Sequence, residues 1–129
     1  MKRRHLLLGG AAAVGLGACT QNTKFKTYNG PEVTYVVVNK EARRMYLFHH
    51  DKVIKDYDIN LGFAPVGDKI HEGDGKTPEG TYLIDRRNPN SKFHLSLGIS
   101  YPNAEDRAEA AALGKAPGGD IFIHGNSTA

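Results

Sequence analysis

The stretch from Gly62 to Gly80 most limits what this chain can become. It mixes Gly, Pro, Asp and Lys without helical or strand periodicity, so it reads as one long loop. Loops of this length inside compact domains are usually functional. Before it lie three β-type runs, Val33–Val38, Arg44–Phe48 and Val53–Ile59, joined by the polar connections Asn39–Arg43 and His49–Lys52. Such spacing predicts an antiparallel meander. After the loop, Thr81–Asp85 reads as a strand ended by Asn88-Pro89-Asn90, and Phe93–Ser100 as another closing at Tyr101-Pro102. The spacing predicts one helix over Ala104–Leu113, with Asn103 as N-cap, acids in the first turn and Gly114 after its end. Pro117-Gly118-Gly119 then leads into a last strand, Asp120–His124. The expected fold class is mainly β with one short helix.

A chain of 129 residues with 40% apolar residues suits a single globular domain. The net charge of +3 raises the question of a nucleic-acid partner. Its location argues against one. Lys2, Arg3 and Arg4 hold the excess, and from residue 19 onward 14 basic residues face 14 acidic ones. A nucleic-acid surface needs clustered cations, whereas Lys52, Lys55, Asp56 and Asp58 alternate in sign as solvated faces do.

Residues 1–18 read as an export leader. Met1–His5 is positive, Leu6–Val14 is apolar, and Leu16-Gly17-Ala18-Cys19 supplies small residues before a cysteine. The 13 residues from Leu6 to Ala18 reach only about 20 Å as a helix, short of a hydrocarbon core of about 30 Å. Cleavage is therefore expected. Leu16–Cys19 resembles the bacterial lipobox, which implies a lipidated Cys19 with no role as a nucleophile; the alternative is an ordinary signal peptide with an incidental cysteine. Arg3-Arg4 is similar to a twin-arginine signal. With Thr20 after the cysteine rather than an Asp, the same resemblance implies an outer-membrane, periplasm-facing anchor, the chain's expected membrane contact being through lipid alone. Residues 19–32 read as a tether.

Several motifs fail on inspection. Gly73-Asp74-Gly75-Lys76-Thr77 contains the end of a phosphate-binding loop, but Ile70 stands where its first glycine is needed and Pro78 follows where a helix should begin. A calcium loop starting at Asp68 fails at Ile70 and Glu72. Adjacent His49 and His50 chelate one metal poorly, because neighbours in an extended chain point apart. His124 differs: it ends the apolar run Ile121–Ile123 and precedes Gly125-Asn126. That setting suits general acid/base work and equally suits a structural histidine. Ser96, Ser100 and Ser127 are present, with nothing to mark one as a nucleophile.

Together, Leu61–Lys69, Glu72–Tyr82 with its Gly-Asp-Gly-Lys-Thr-Pro-Glu-Gly core, Phe93–Pro102 and Ile121–Gly125 resemble the L,D-transpeptidase catalytic domain (YkuD) family, in its branch of murein transpeptidase-like lipoproteins. The resemblance covers residues 33–129. It implies a mainly β, YkuD-like sandwich or barrel. It also implies acyl transfer on peptidoglycan stem peptides: a cysteine attacks the carbonyl of the third stem residue, D-alanine leaves, and an amine resolves the thioester. A thiol with a pKa near about 8.5 needs a neighbouring base at neutral pH. His124 matches the family's histidine and Gly125 its adjacent glycine, with a backbone carbonyl orienting the ring. No metal or other cofactor is implied. His94, Ser96 and Tyr101 are candidate substrate-binding groups.

The family's nucleophile lies in a Ser/Thr-x-Gly-Cys motif downstream of His-Gly, and residues 20–129 contain no cysteine. The expectation is a fragment of a longer enzyme, or a natural truncation without activity, with its closing strands lacking, a strand edge unpaired and marginal stability. Two other readings stand beside transfer of the acyl group to a stem or a cell-wall lipoprotein. Water could resolve the thioester, giving a peptidoglycan amidase, or the chain could be a non-catalytic peptidoglycan-binding lipoprotein.

Overall fold

The computed structural model describes residues 24–126. The leader, Cys19 and Ser127 lie outside them. Among the described residues the fold is mainly β, with six strands and one helix. The strands form two antiparallel sheets, ordered β1-β2-β3 and β4-β5-β6, so every strand pairs only with its neighbours in sequence.

The first sheet is the expected meander of β1 (Tyr35–Asn39), β2 (Arg44–His49) and β3 (Lys52–Asp58). The β1–β2 connection closes because the Asn39 side chain accepts from the Ala42 amide at 2.9 Å, while Arg43 adopts φ 53°. The β2–β3 turn needs only His50 and Asp51, with His50 at φ 51°. A register shift between Leu47 and Phe48 leaves Ile54 as an extra residue in β3 and bends that strand. Tyr35 and Phe48, opposite each other in register, stack with centroids 4.6 Å apart. Such a cross-strand aromatic pair fixes register as well as adding contact.

The second sheet contains β4 (Ile84–Asn88), β5 (Ser96–Ile99) and β6 (Phe122–His124). Here β4 lies three residues later than the apolar run Thr81–Asp85 predicts. Two contacts explain the shift. The Tyr82 hydroxyl is drawn away to donate to Asp106 at 3.0 Å, and Leu83 meets Ser100 through both backbone and side chain rather than in a regular ladder. The fifth strand is likewise shorter than Phe93–Ser100, because residues 91–95 form tight turns instead.

Helix α1 (Ala104–Ala112) sits between β5 and β6. Asn103 caps it as expected: its side chain accepts from the Glu105 and Asp106 amides, and Asp106 accepts in return from the Asn103 amide at 2.7 Å. Gly114 follows at φ 66°, a conformation that favours glycine. No described helix is long and apolar enough to cross a membrane.

Apolar packing is sparse. Tyr101 and Ala110 are the buried hydrophobic residues among those described, whereas Tyr35, Val37, Val38, Tyr57 and Ile84 stay exposed. These side chains line an open cleft of about 2140 Å³ that both sheets border. A drug-sized ligand pocket spans roughly 300–1,000 Å³, so this cleft is larger than a small substrate fills. Strands β1, β3, β4 and β6 each carry one edge without a partner strand among the described residues.

Candidate active site

The cleft acquires chemistry where β5 and β6 meet. Their register sets Ser96 against His124, Leu97 against Ile123 and Gly98 against Phe122. Directly opposed residues share a face, and both Ser96 and His124 border the cleft together with Phe93, Gly125 and Asn126. Ser96 is buried and His124 exposed. The imidazole is held through one edge: Nδ1 lies 2.7 Å from the carbonyl oxygen of Gly125. A carbonyl only accepts, so Nδ1 carries the proton and the Nε2 lone pair is left for chemistry. The Phe93 ring stacks on the imidazole, centroids 4.0 Å apart and planes 23° from parallel. A side chain at Gly125 would meet the chain only at the Phe93 carbonyl, 3.5 Å away, so local packing does not itself require glycine there.

The other candidates separate. His94 is exposed, does not border the cleft, and holds φ 73° between Phe93 and Leu95. Tyr101 is buried, two residues past the end of β5. Its hydroxyl donates to the Pro117 carbonyl at 2.8 Å, its ring meets Tyr82 edge-on at 6.0 Å, and the Lys69 ammonium lies 5.9 Å from its centroid. It borders a separate hollow of about 330 Å³ with Arg86 and Arg107, not the cleft. Burial, followed by the negative field of Asp106, pushes the Tyr101 hydroxyl up to about 12. It therefore stays a neutral donor across physiological pH. Thus the structure brings Ser96, His124 and Gly125 together and leaves His94 and Tyr101 outside the group.

The Gly-Asp-Gly-Lys-Thr-Pro-Glu-Gly stretch acts as a brace. The Asp74 carboxylate accepts from the amides of Ile70 at 2.8 Å, His71 at 3.1 Å and Lys76 at 3.0 Å. The buried Lys69 ammonium adds a fourth donor at 3.1 Å. Burial works against the charge on Asp74, but the backbone donors and Lys69 outweigh it and hold the carboxyl well below the usual carboxylate range. The glycines beside it stand at φ 80° and 72°, where other residues are strained. Lys40 ties this loop to the first sheet, donating to the carbonyls of Gly67 at 2.6 Å and Thr77 at 2.8 Å and pairing with Glu79 at 2.8 Å. Sequence reasoning recognises the motif but not the work of Asp74, Lys69 and Lys40. An acid set between two glycines, two residues before a lysine, signals a carboxylate that closes its own turn. Phe93 is missed as well, because one aromatic residue in a presumed strand carries no positional signal. Among the described residues, no group of three or more His, Cys, Asp or Glu could hold a metal ion.

The domain is thus mainly β, with a carbonyl-held histidine at a strand end that borders an open cleft. The L,D-transpeptidase catalytic domain (YkuD) matches residues 33–129, and this chain belongs to that family. It is 31% identical over 98 residues to "Putative L,D-transpeptidase YafK" of Escherichia coli strain K12, a match covering 71% of this chain. The same figures hold for the protein of that name in Escherichia coli O157:H7. The chain spans 38% of the length of these curated relatives. No solved structure matches it significantly.

Proposed function

We propose that this chain carries the general-base part of a peptidoglycan L,D-transpeptidase. The observation supporting it is the arrangement at His124, a residue that borders the cleft and whose Nδ1 is occupied by the Gly125 carbonyl. A cysteine thiol placed there would lose its proton to Nε2, and the thiolate would attack the carbonyl of the third stem residue. The thioester forms as the bond to D-alanine breaks, and the imidazolium returns its proton to the departing amine. An acceptor amine then attacks the thioester and gives up its proton to the imidazole, and the thiolate leaves. Ser96 would line the substrate's path, on its place opposite His124. Residues 20–129 supply no thiol, and Cys19 is assigned to the lipid anchor. The leader at residues 1–18 supports export to a periplasm-facing, lipid-anchored location, where peptidoglycan stems are the accessible substrate.

The test uses the protein at its full natural length with labelled tetrapeptide muropeptides. Expected results are D-alanine release, a trapped thioester, and new 3–3 cross-links or protein-linked stems. Replacing His124 with Gln should lower acyl-enzyme formation about 10²–10⁴-fold, the usual contribution of a positioned base. Neither thioester nor D-alanine release would overturn the reading; trimmed stems alone would replace the amine acceptor with water. Residues 1–129 by themselves should show no thiol-dependent turnover, and activity surviving Cys19→Ser would contradict the need for a separate thiol.

A further inference from the structure

His124 is held by little. Its ring has one hydrogen bond, to the carbonyl of the next residue, and one face contact, to Phe93. An imidazole on a single hydrogen bond can turn about its Cβ–Cγ bond, exchanging the positions of Nδ1 and Cδ2. That rotation must pass through an orientation perpendicular to the starting plane. A ring stacked 4.0 Å away and 23° from parallel stands in that path.

Phe93 is aimed by an unusual piece of backbone. The Phe93 amide donates to the Ser91 hydroxyl at 3.1 Å, and the His94 amide to the Ser91 carbonyl at 3.1 Å. The Leu95 amide then donates back to the Phe93 carbonyl at 2.9 Å, closing a three-residue turn around His94 at φ 73°. This is the positive-φ form of the γ-turn, which is rare and strained, and here a non-glycine residue occupies its centre. Strain of this kind persists only where surrounding structure over-determines it, and it gathers at functional sites. The next residue but one, Ser96, begins β5 and lies in register with His124. The turn therefore fixes Phe93 relative to the start of β5, and the ladder fixes that start relative to His124.

We propose that Phe93 is a positioning residue for the base: its ring, aimed by the γ-turn centred on His94, holds the His124 imidazole with Nδ1 on the Gly125 carbonyl and Nε2 toward the cleft. The base role rests on the function proposed above; the positioning does not. His94 contributes through its backbone, as the hub of the turn.

The experiment is nuclear magnetic resonance of the full chain labelled with ¹⁵N and ¹³C in histidine. In the wild type, His124 should be the Nδ1–H tautomer, with its ring protons shielded by Phe93. Phe93→Leu removes the aromatic face. It should abolish that shielding and raise the share of the other ring arrangement about five-fold, as expected for one aromatic pair. Phe93→Tyr should restore both signatures, which a bulk packing role would not distinguish. Unchanged amide signals in β4 and α1 certify folding of the half that holds Phe93 and His124, and Phe93→Met stands in if the leucine variant does not fold. A His124 tautomer and shielding that survive Phe93→Leu would overturn the proposal, as would a wild-type ring in the Nε2–H form. In the full-length enzyme, Phe93→Leu should lower kcat with KM little changed. A wild type without acyl transfer would remove the functional reading and leave the spectroscopic result standing.

Discussion

The Asp74 carboxylate gathers four donors within a span of eight residues, three amides and one ammonium. Replacing it with Asn keeps the shape but leaves the buried Lys69 without its anion. Removing one partner of a buried pair costs about 3–5 kcal/mol, so Asp74→Asn should unfold the loop first, visible as faster amide exchange at Ile70, His71 and Lys76. The pH dependence follows from the direction of the shift. The carboxyl titrates lower in the folded chain than in the unfolded one, so its contribution is complete above the unfolded value near about 4 and is lost as the solution becomes more acidic. Denaturation followed from neutral pH down to about pH 3 should show declining stability in the wild type and a flatter profile in Asp74→Asn. At this scale the sequence is a partial guide. His124 stands out through its place at the end of an apolar run, and the resemblance gives it a role. Phe93 and Lys40 act through partners 31 and 27–39 residues away, distances that no local pattern encodes.

Helix α1 shows how an element can depend on its first residue. Its nine residues bury only Asp106 and Ala110, and a helix of this length is marginal without tertiary support. The reciprocal bonds between Asn103 and Asp106 satisfy amides that would otherwise lack partners. Asn103→Ala should lower stability by about 1 kcal/mol, measurable in a urea titration and concentrated in α1 by amide exchange. This cap is legible in advance, because asparagine before an acid-rich first turn is a local signal. The three strands of the first sheet are legible for the same reason: alternation and short polar connections lie within one window. The position of β4 is not, since it depends on the Tyr82 hydroxyl reaching Asp106, a contact between elements 24 residues apart. The γ-turn at His94 is hidden too, because histidine has no preference for φ 73° that would announce it.

For the whole molecule, the open cleft determines the energetics. Tyr35, Val37, Val38, Tyr57, Leu83 and Ile84 are 40–73% exposed in the folded chain, so unfolding uncovers little new apolar area. The denaturant slope scales with newly exposed surface. Residues 1–129 should therefore give a urea slope at or below about 1 kcal/mol/M, the lower end for small proteins. A slope near about 2 would show the cleft closed in solution. Dye binding to exposed apolar surface in the native state is expected from the same face. The mainly β class was readable from residue patterns, whereas the separation of the sheets was not. Alternation says which side chains seek cover without saying what covers them.

Pairing only between sequence neighbours also sets the order in which this molecule can assemble. Sheets ordered β1-β2-β3 and β4-β5-β6 share no strand, so neither waits for the other. A hairpin closes in about 1–10 μs, while a ribosome adds about 5–20 residues per second. The first sheet is complete in sequence by Asp58, and the last strand of the second arrives at Phe122, several seconds later at those rates. During that interval the Lys40 ammonium already sits at the β1–β2 turn, before the carbonyls of Gly67 and Thr77 have been made. Joining the two halves is thus a late event, and Lys40→Met should delay it without slowing formation of the first sheet.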